Sequence, residues 1–381
     1  MRTVYLVLKE KIVSYPPVLS MIDALLTIGE KVVFIGNSSG FDQKEKYEKK
    51  GVEFVKVSEY DGQASLINKY LKMRAFKHDV SSYLSANYKE GDLLWVMHAE
   101  TICLLGKMLN KYKTILHFFE YVDPEINWKY RLMSPSFDMG EACRNAYKVV
   151  CCEYNRAHIT KGLFQLDDLP SILPNKYFAD EKELENPPQT IAEKVAEIEK
   201  IVKGKTVILY QGIFLDKERR LEEFITAVNN MPDNYALIAM GRGSEMFDDL
   251  KKRYSSSRIL FIDFINPPYH LLVTRLASVG ILSYFPRNRS IATVINPLYC
   301  APNKTFEYAR YGIPMVSNDV PALYYTFKEY HCGEIVSYPM TPEKIESTIT
   351  KMMDDKDSYS QGAREFFNSV DIISIIRKVV G

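Results

Sequence analysis

The residues best suited to chemistry lie between Ile281 and Asn318. A short apolar run, residues 279–283, gives way to a long polar loop, residues 284–302. That loop enters Asn303-Lys304-Thr305-Phe306-Glu307-Tyr308-Ala309-Arg310-Tyr311-Gly312-Ile313-Pro314-Met315-Val316. The order reads as loop, helix start, one helix, glycine stop and buried strand. A helix start presents unpaired backbone N–H groups and a partial positive charge, so it seats anions, and a diphosphate suits it well. Lys304 adds a cation there, and Asn303 or Thr305 can serve the opening turn. Glu307 lies four residues after Asn303, about one turn deeper. A carboxylate at that depth can accept hydrogen bonds from ribose hydroxyls when the phosphates of the same nucleotide sit at the helix tip. The plainer reading of Glu307 is a side chain that favours its own helix through the dipole or surface pairing.

Three further candidates lie in the first half. His98 follows an apolar run at 93–97, and His117 ends another at 114–117. Both stand at the carboxyl ends of expected parallel strands, where α/β folds place ligands. An imidazole there can orient a phosphate or an acceptor hydroxyl, and the alternative is a capping or packing histidine. Glu120 is the rival for proton removal from an acceptor hydroxyl, a step that needs a carboxylate or imidazole within hydrogen-bond reach. Between residues 66 and 88, apolar Leu66, Tyr70, Phe76, Val80 and Leu84 alternate with Lys69, Lys72, Arg74 and Lys77. A basic amphipathic helix of this kind either lies on an anionic membrane or shows a solvated face. Trp128-Lys129-Tyr130-Arg131 is a similar aromatic and basic patch. No Asp-x-Asp stands at a strand end to hold a metal, and Asp354-Asp355-Lys356-Asp357 falls in an expected turn between helices. No metal is therefore expected. Gly241-Arg242-Gly243 is too short for a dinucleotide fingerprint.

The elements that must position these groups form one repeated pattern. Short apolar runs bounded by turn residues alternate with amphipathic stretches, the signature of βαβ units and parallel sheets. Strands are expected at 3–8, 31–35, 52–57, 93–97, 114–117 and 148–151, then at 206–210, 235–239, 259–261, 279–283 and 314–316. Proline near the start and glycine past the end place the first helix between Pro17 and Gly29. The fold class is α/β, with two Rossmann-like doubly wound domains facing across a cleft. The first domain spans 1–180, a linker 181–204, and the second 205–357, with a final helix at 358–381 that packs back on the first. The linker is placed where Glu and Lys dominate, although Ile191, Val195, Ile198 and Val202 recur at helical spacing.

Bulk properties narrow the partners. A length of 381 residues suits two domains. A formal net charge of +1 leaves no global electrostatic case for nucleic acid. The 6 scattered cysteines fit neither a disulfide framework nor a zinc knuckle. The N-terminus lacks a signal-peptide pattern, and no apolar run is long enough to span a bilayer. A cytoplasmic protein is expected, with the basic helix allowing a peripheral contact on the inner face of the membrane.

The string Pro302-Asn303-Lys304-Thr305-Phe306-Glu307-Tyr308 followed by Gly312-Ile313-Pro314 resembles the signature of GT-B glycosyltransferases of the large family-four-like group. Tyr210-Gln211-Gly212 with Arg219, then Ala239-Met240-Gly241-Arg242-Gly243, fall in the same order. Glu120-Tyr121, Glu141, Glu153-Tyr154-Asn155-Arg156-Ala157 and Leu173-Pro174-Asn175 fit the first half less sharply. The resemblance implies that Gly212 and Gly241 let the backbone approach a nucleotide diphosphate sugar, with a UDP-sugar as the default donor. It implies that Arg219 contacts the diphosphate with Asn303, Lys304 and Thr305, that Glu307 holds the ribose, and that no cofactor beyond the donor is needed. Two departures stand out: Tyr299 replaces the first of two glutamates common in the group, and residues 9–17 lack paired glycines. The expected activity is transfer of a hexose-type sugar to a hydroxyl of a saccharide or lipid-linked saccharide, in surface polysaccharide or glycolipid assembly. The rival readings are a nucleotide-sugar epimerase of related fold, and a non-catalytic nucleotide-sugar-binding subunit of a transferase complex.

Overall fold

The computed structural model describes residues 2–59, 65–121, 128–177, 181–215 and 217–381, the side chains of 128–130 excepted. The Trp128–Tyr130 part of the aromatic and basic patch therefore lies outside the described side chains. The chain forms two compact units, Met1–Pro174 with Asp371–Gly381, and Asn175–Val370.

The first unit is built on seven parallel strands: β1 (Thr3–Lys11), β2 (Lys31–Asn37), β3 (Glu53–Val55), β4 (Leu93–Met97), β5 (Thr114–Phe118), β6 (Lys148–Cys151) and β7 (Ser171–Ile172). Their order is β3-β2-β1-β4-β5-β6-β7. Val4 to Leu8 and Leu93 to Met97 are buried throughout, as unbroken apolar runs must be when helices cover both faces of a sheet. β1 pairs with β2 on one side and β4 on the other, so chain order reverses between β1 and β4. The crevice outside the carboxyl ends of strands at such a reversal is where open α/β sheets bind ligands.

The second unit repeats the plan with β8 (Thr206–Gly212), β9 (Tyr235–Gly241), β10 (Ile259–Asp263), β11 (Val279–Leu282), β12 (Met315–Asn318) and β13 (Gly333–Val336), in the order β10-β9-β8-β11-β12-β13. Its reversal falls between β8 and β11, and the helix Asn303–Arg310 follows β11.

The division differs from the expected one at three places. The boundary falls at Pro174/Asn175. The Glu/Lys-rich stretch is no linker but the helix Gln189–Val202, whose Ile198 and Val202 are buried with Val207, Leu209 and Ile238 of the second unit. A single apolar stripe is enough to seat a helix on a sheet, and the charged remainder faces water. At the C-terminus the helix Lys356–Ser369 stays with the second unit, where Phe366 stacks on Phe306 at 4.9 Å. Only Ile372–Val380 belongs to the first unit, burying Ile372, Ile376 and Val379 and packing on the helix Pro16–Thr27. The polar loop after β11 also holds a helix, Ile291–Leu298, opened by a capping box between Ser290 and Thr293.

Candidate functional site

In the second unit the strand ends and one helix start converge. β8 ends at Gly212, whose φ of 137° disfavours any side chain, and a Cβ there would lie 3.2 Å from the Lys304 ammonium. A Cβ on Gly241, the end of β9, would lie 2.1 Å from the Gly212 carbonyl. The two glycines allow the strands to end side by side and leave the backbone bare next to Lys304.

Lys304 stands over aromatic rings, with Nζ 4.5 Å from the Tyr210 ring centroid and 5.3 Å from that of Tyr284. The Arg219 guanidinium lies 4.3 Å from the same Tyr284 ring. Burial, and then the neighbouring Arg219, pull the Lys304 ammonium down to about 7, against the opposing pull of Glu307. Arg219 Nη1 is paired with Glu218 at 2.6 Å, whereas Lys304 has no ion-pair partner among the described residues. Burial drives the hydroxyls of Tyr210 and Tyr284 upward, so both rings stay neutral walls.

The helix Asn303–Arg310 begins after Pro302, whose ring has no hydrogen-bonding group to cap it, and the Pro302 carbonyl takes the Thr305 N–H at 3.2 Å. Thr305 is buried, its Oγ1 without a hydrogen-bond partner among the described residues. A first turn with no side-chain cap, an unpartnered buried hydroxyl and a lysine without an ion-pair partner among the described residues together describe a seat for an anion. Asn175, the first residue of this unit, donates from Nδ2 to the Ala301 carbonyl at 2.9 Å and so fixes the loop entering the helix.

Glu307 is 7% exposed and sits in a closed polar network. Its Oε2 accepts from Gln211 Nε2 at 2.5 Å, and its Oε1 lies 3.2 Å from His270 Nε2. Gln211 in turn accepts from Thr274 Oγ1 at 2.7 Å. A buried carboxylate needs such partners, and each of its oxygens keeps capacity for one more donor. The sequence reading found Glu307 but missed Gln211, His270 and Thr274 as its support. Gln211 precedes Gly212 in the motif already singled out, but nothing local tied residues 270–274 to it.

In the first unit the ends of β1 and β4 carry a second polar cluster. Lys9, 8% exposed, pairs with Glu10 at 3.0 Å and Glu100 at 2.7 Å. His98 holds a left-handed backbone, φ 71°, with its Nδ1 buried, unpartnered and 4.0 Å from Glu10 Oε1. A non-glycine residue at positive φ is strained, and such strain concentrates at functional sites. Tyr15 presents its ring edge to His98 at 5.8 Å and packs at 5.3 Å on Phe119, next to the exposed Glu120. Burial, then Glu10, Glu120 and Glu100, push the Tyr15 hydroxyl up, which places these carboxylates around one phenol. Ligand atoms of Glu10, His98 and Glu100 lie within 4.8 Å of one another, but the Lys9 ammonium already bridges the two carboxylates.

His117 departs from its expected role. It is a residue of β5 with 1% exposure, its ring 4.4 Å from Phe119 and its Nε2 3.6 Å from Cys152 Sγ. Burial pulls it down to about 3, so it stays neutral as a packing group. His98, one residue past the end of β4, is the histidine that reaches the polar cluster.

No family model matches the chain, and no curated protein matches it. Solved structures do match along the full length, at identities that speak for the fold alone. Anabaena HepE, crystallised in complex with UDP and glucose, gives a TM-score of 0.68 at 12% identity over 100% of this chain and 98% of its own. Sucrose-phosphate synthase from Thermosynechococcus elongatus gives 0.68 at 12% identity over 99% and 97%. WaaG, a glycosyltransferase involved in lipopolysaccharide biosynthesis, gives 0.60 at 12% identity over 99% and 98%. These are GT-B glycosyltransferases, and the chain shares their fold of two parallel-sheet α/β domains.

Proposed function

We propose that the protein is a metal-independent glycosyltransferase of the family-four-like group that moves a hexose-type sugar from a nucleotide diphosphate sugar, a UDP-sugar by default, to a hydroxyl of a saccharide or lipid-linked saccharide. The observation that carries this is the helix start at Asn303, without a side-chain cap, with Lys304 and Arg219 beside it, cationic and faced by rings. As the bond from the sugar's anomeric carbon to the diphosphate breaks, charge gathers on the departing phosphate, and preorganised cations and N–H groups stabilise it there. Gly212 and Gly241 leave room for the phosphates, and Glu307 takes the ribose hydroxyls on its spare lone pairs. The new bond joins the acceptor oxygen to the anomeric carbon, and the acceptor's proton passes to a carboxylate or imidazole within hydrogen-bond reach, a role for which Glu120 and His98 are the candidates. The UDP complex of HepE supports the choice of donor.

Thermal shift over a panel of nucleotide diphosphate sugars tests this directly. A donor at a hundred times its dissociation constant stabilises the native state by about 2.7 kcal/mol. The same donor with a saccharide acceptor should then yield a transferred sugar. A panel that stabilises nothing overturns the reading, and product from donor alone points to an epimerase instead.

No helix among the described residues is long and apolar enough to cross a membrane. A cytoplasmic enzyme in peripheral contact with the membrane's inner face fits the helix Leu66–Asn87, though not through the expected stripe, because Met73, Phe76, Val80 and Leu84 face the core. Leu66, Ile67 and Leu71 point outward instead, 66%, 72% and 53% exposed. Lys69, Lys72 and Arg74 flank them, with no acidic residue between 66 and 78, whereas Lys77 turns inward to Ser134 Oγ at 3.1 Å. Each cation near an anionic surface is worth about 1 kcal/mol. The protein is expected to sediment with vesicles containing phosphatidylglycerol and not with pure phosphatidylcholine, and Ile67→Glu with Leu71→Glu is expected to abolish this. Equal partitioning to both vesicle types defeats the membrane contact and leaves the transferase reading standing.

A further inference from the structure

We infer that Tyr284, clamped by Asn318, is the positioning residue that holds Arg219 and Lys304 side by side for the donor's diphosphate. The inference rests on the second unit being the donor site and deepens it by naming what keeps two like charges together.

Tyr284 follows β11 by two residues, and its backbone is fixed at both ends of the residue. Its N–H donates to Asn318 Oδ1 at 2.7 Å, and its carbonyl accepts from Asn318 Nδ2 at 2.7 Å. Asn318 is fully buried at the end of β12, and its Nδ2 also donates to the Tyr338 hydroxyl at 3.0 Å. The next residue, Phe285, donates from its N–H to the Glu218 carbonyl at 3.0 Å, tying the strand end to the segment that carries Arg219. The ring of Tyr284 is thereby set against both cations, at 4.3 Å from Arg219 and 5.3 Å from Lys304.

Two neighbouring cations repel, and Glu218 offsets this at Arg219 alone, which leaves Lys304 beside it without an ion-pair partner among the described residues. A carboxylate in the place of Tyr284 would hold both and compete with an incoming phosphate. An aromatic face attracts each cation through its quadrupole and carries no net charge to compete. The donors of Lys304 thus stay available, and those of Arg219 beyond its bond to Glu218 do as well. Tyr210 adds a second ring for Lys304 alone. The buried Tyr284 hydroxyl plays no part in this account, so the ring and not the phenol is the working group.

Calorimetric titration of UDP and UMP into the wild type, Tyr284→Phe and Tyr284→Leu separates this role from packing. Tyr284→Phe is expected to bind both nucleotides as the wild type does. Tyr284→Leu should lose about tenfold in affinity for UDP, the worth of one desolvated cation–ring contact. Its affinity for UMP should fall about twofold or less, since fewer phosphate charges call on the paired cations. A Tyr284→Leu protein that binds UDP normally, or loses UDP and UMP in equal proportion, overturns the inference while the donor site survives. Failure of the wild type to bind UDP or any other nucleoside diphosphate removes the donor reading and this inference with it. Unfolding midpoints of the two variants within a few degrees of each other show that the fold is not what changed.

Discussion

Affinity for UDP is expected to peak between about pH 6 and pH 7 and then to fall by up to tenfold per pH unit above about 7. The sign follows from Lys304. Its ammonium is pulled down to about 7 by burial and by Arg219, so above that pH the free protein holds a neutral amine. A bound diphosphate supplies the missing counter-charge and raises the same group, so binding takes up a proton and weakens as protons become scarce. Below about pH 6 the ligand itself loses charge, because a terminal phosphate titrates there. Lys304→Met should lose about a hundredfold in affinity and flatten the alkaline limb. It should also melt higher than the wild type, since a cation without a carboxylate partner leaves a desolvated site. The lowered lysine makes the unfolded chain bind more protons between pH 7 and pH 10.5, so wild-type stability rises with pH through that window. The advantage of Lys304→Met should therefore be full below about pH 7 and fade toward pH 10. Titration calorimetry from pH 6 to pH 9 and melting curves over the same range check both signs. An affinity that stays flat or rises toward pH 9 denies Lys304 its place at the phosphates.

The parts of the fold that could be read in advance are those in which local pattern and tertiary burial agree. Val4 to Leu8 and Leu93 to Met97 are apolar without a break and are buried on both faces. The helix start at Asn303 was legible for a similar reason, since loop, polar triplet and glycine stop are adjacent in the chain. What failed were questions of partner. Ile198 and Val202 announce an amphipathic helix, but nothing in residues 189–202 says which sheet it covers. His117 and His98 are separated by strand parity and by one residue's distance from a strand end: His117 lies within β5, while His98 lies past β4 with φ at 71°. Gln211 and His270 meet Glu307 from a strand and a helix distant in the chain, and Thr274, on the same helix as His270, reaches only Gln211, so no spacing rule could join them. The Tyr284–Asn318 clamp spans 34 residues and is invisible for the same reason.

Glu307 carries the second large effect, and its variants separate support of the fold from service to the ligand. Glu307→Ala removes the acceptor for Gln211 Nε2 and the partner of His270 Nε2 from a site that is 93% shielded on the figure of 7% exposure. Stranding buried polar groups and opening a void should cost roughly 3 kcal/mol, or about 6–12 °C in the melting of a unit this size. Glu307→Gln keeps the volume. Its amide oxygen can still accept from Gln211, and its amide nitrogen can donate to His270 Nε2 once the imidazole moves its proton to Nδ1, an atom that is buried without a partner in either tautomer. The fold should then hold to within about 1 kcal/mol. The ligand is not so easily satisfied, because ribose hydroxyls that donate to a carboxylate meet a neutral amide with one acceptor atom instead of two. UDP affinity should drop about tenfold, while inorganic pyrophosphate, which has no ribose, should bind Glu307→Gln as it binds the wild type. Equal losses for UDP and pyrophosphate would make Glu307 a prop for the helix start and move ribose recognition elsewhere.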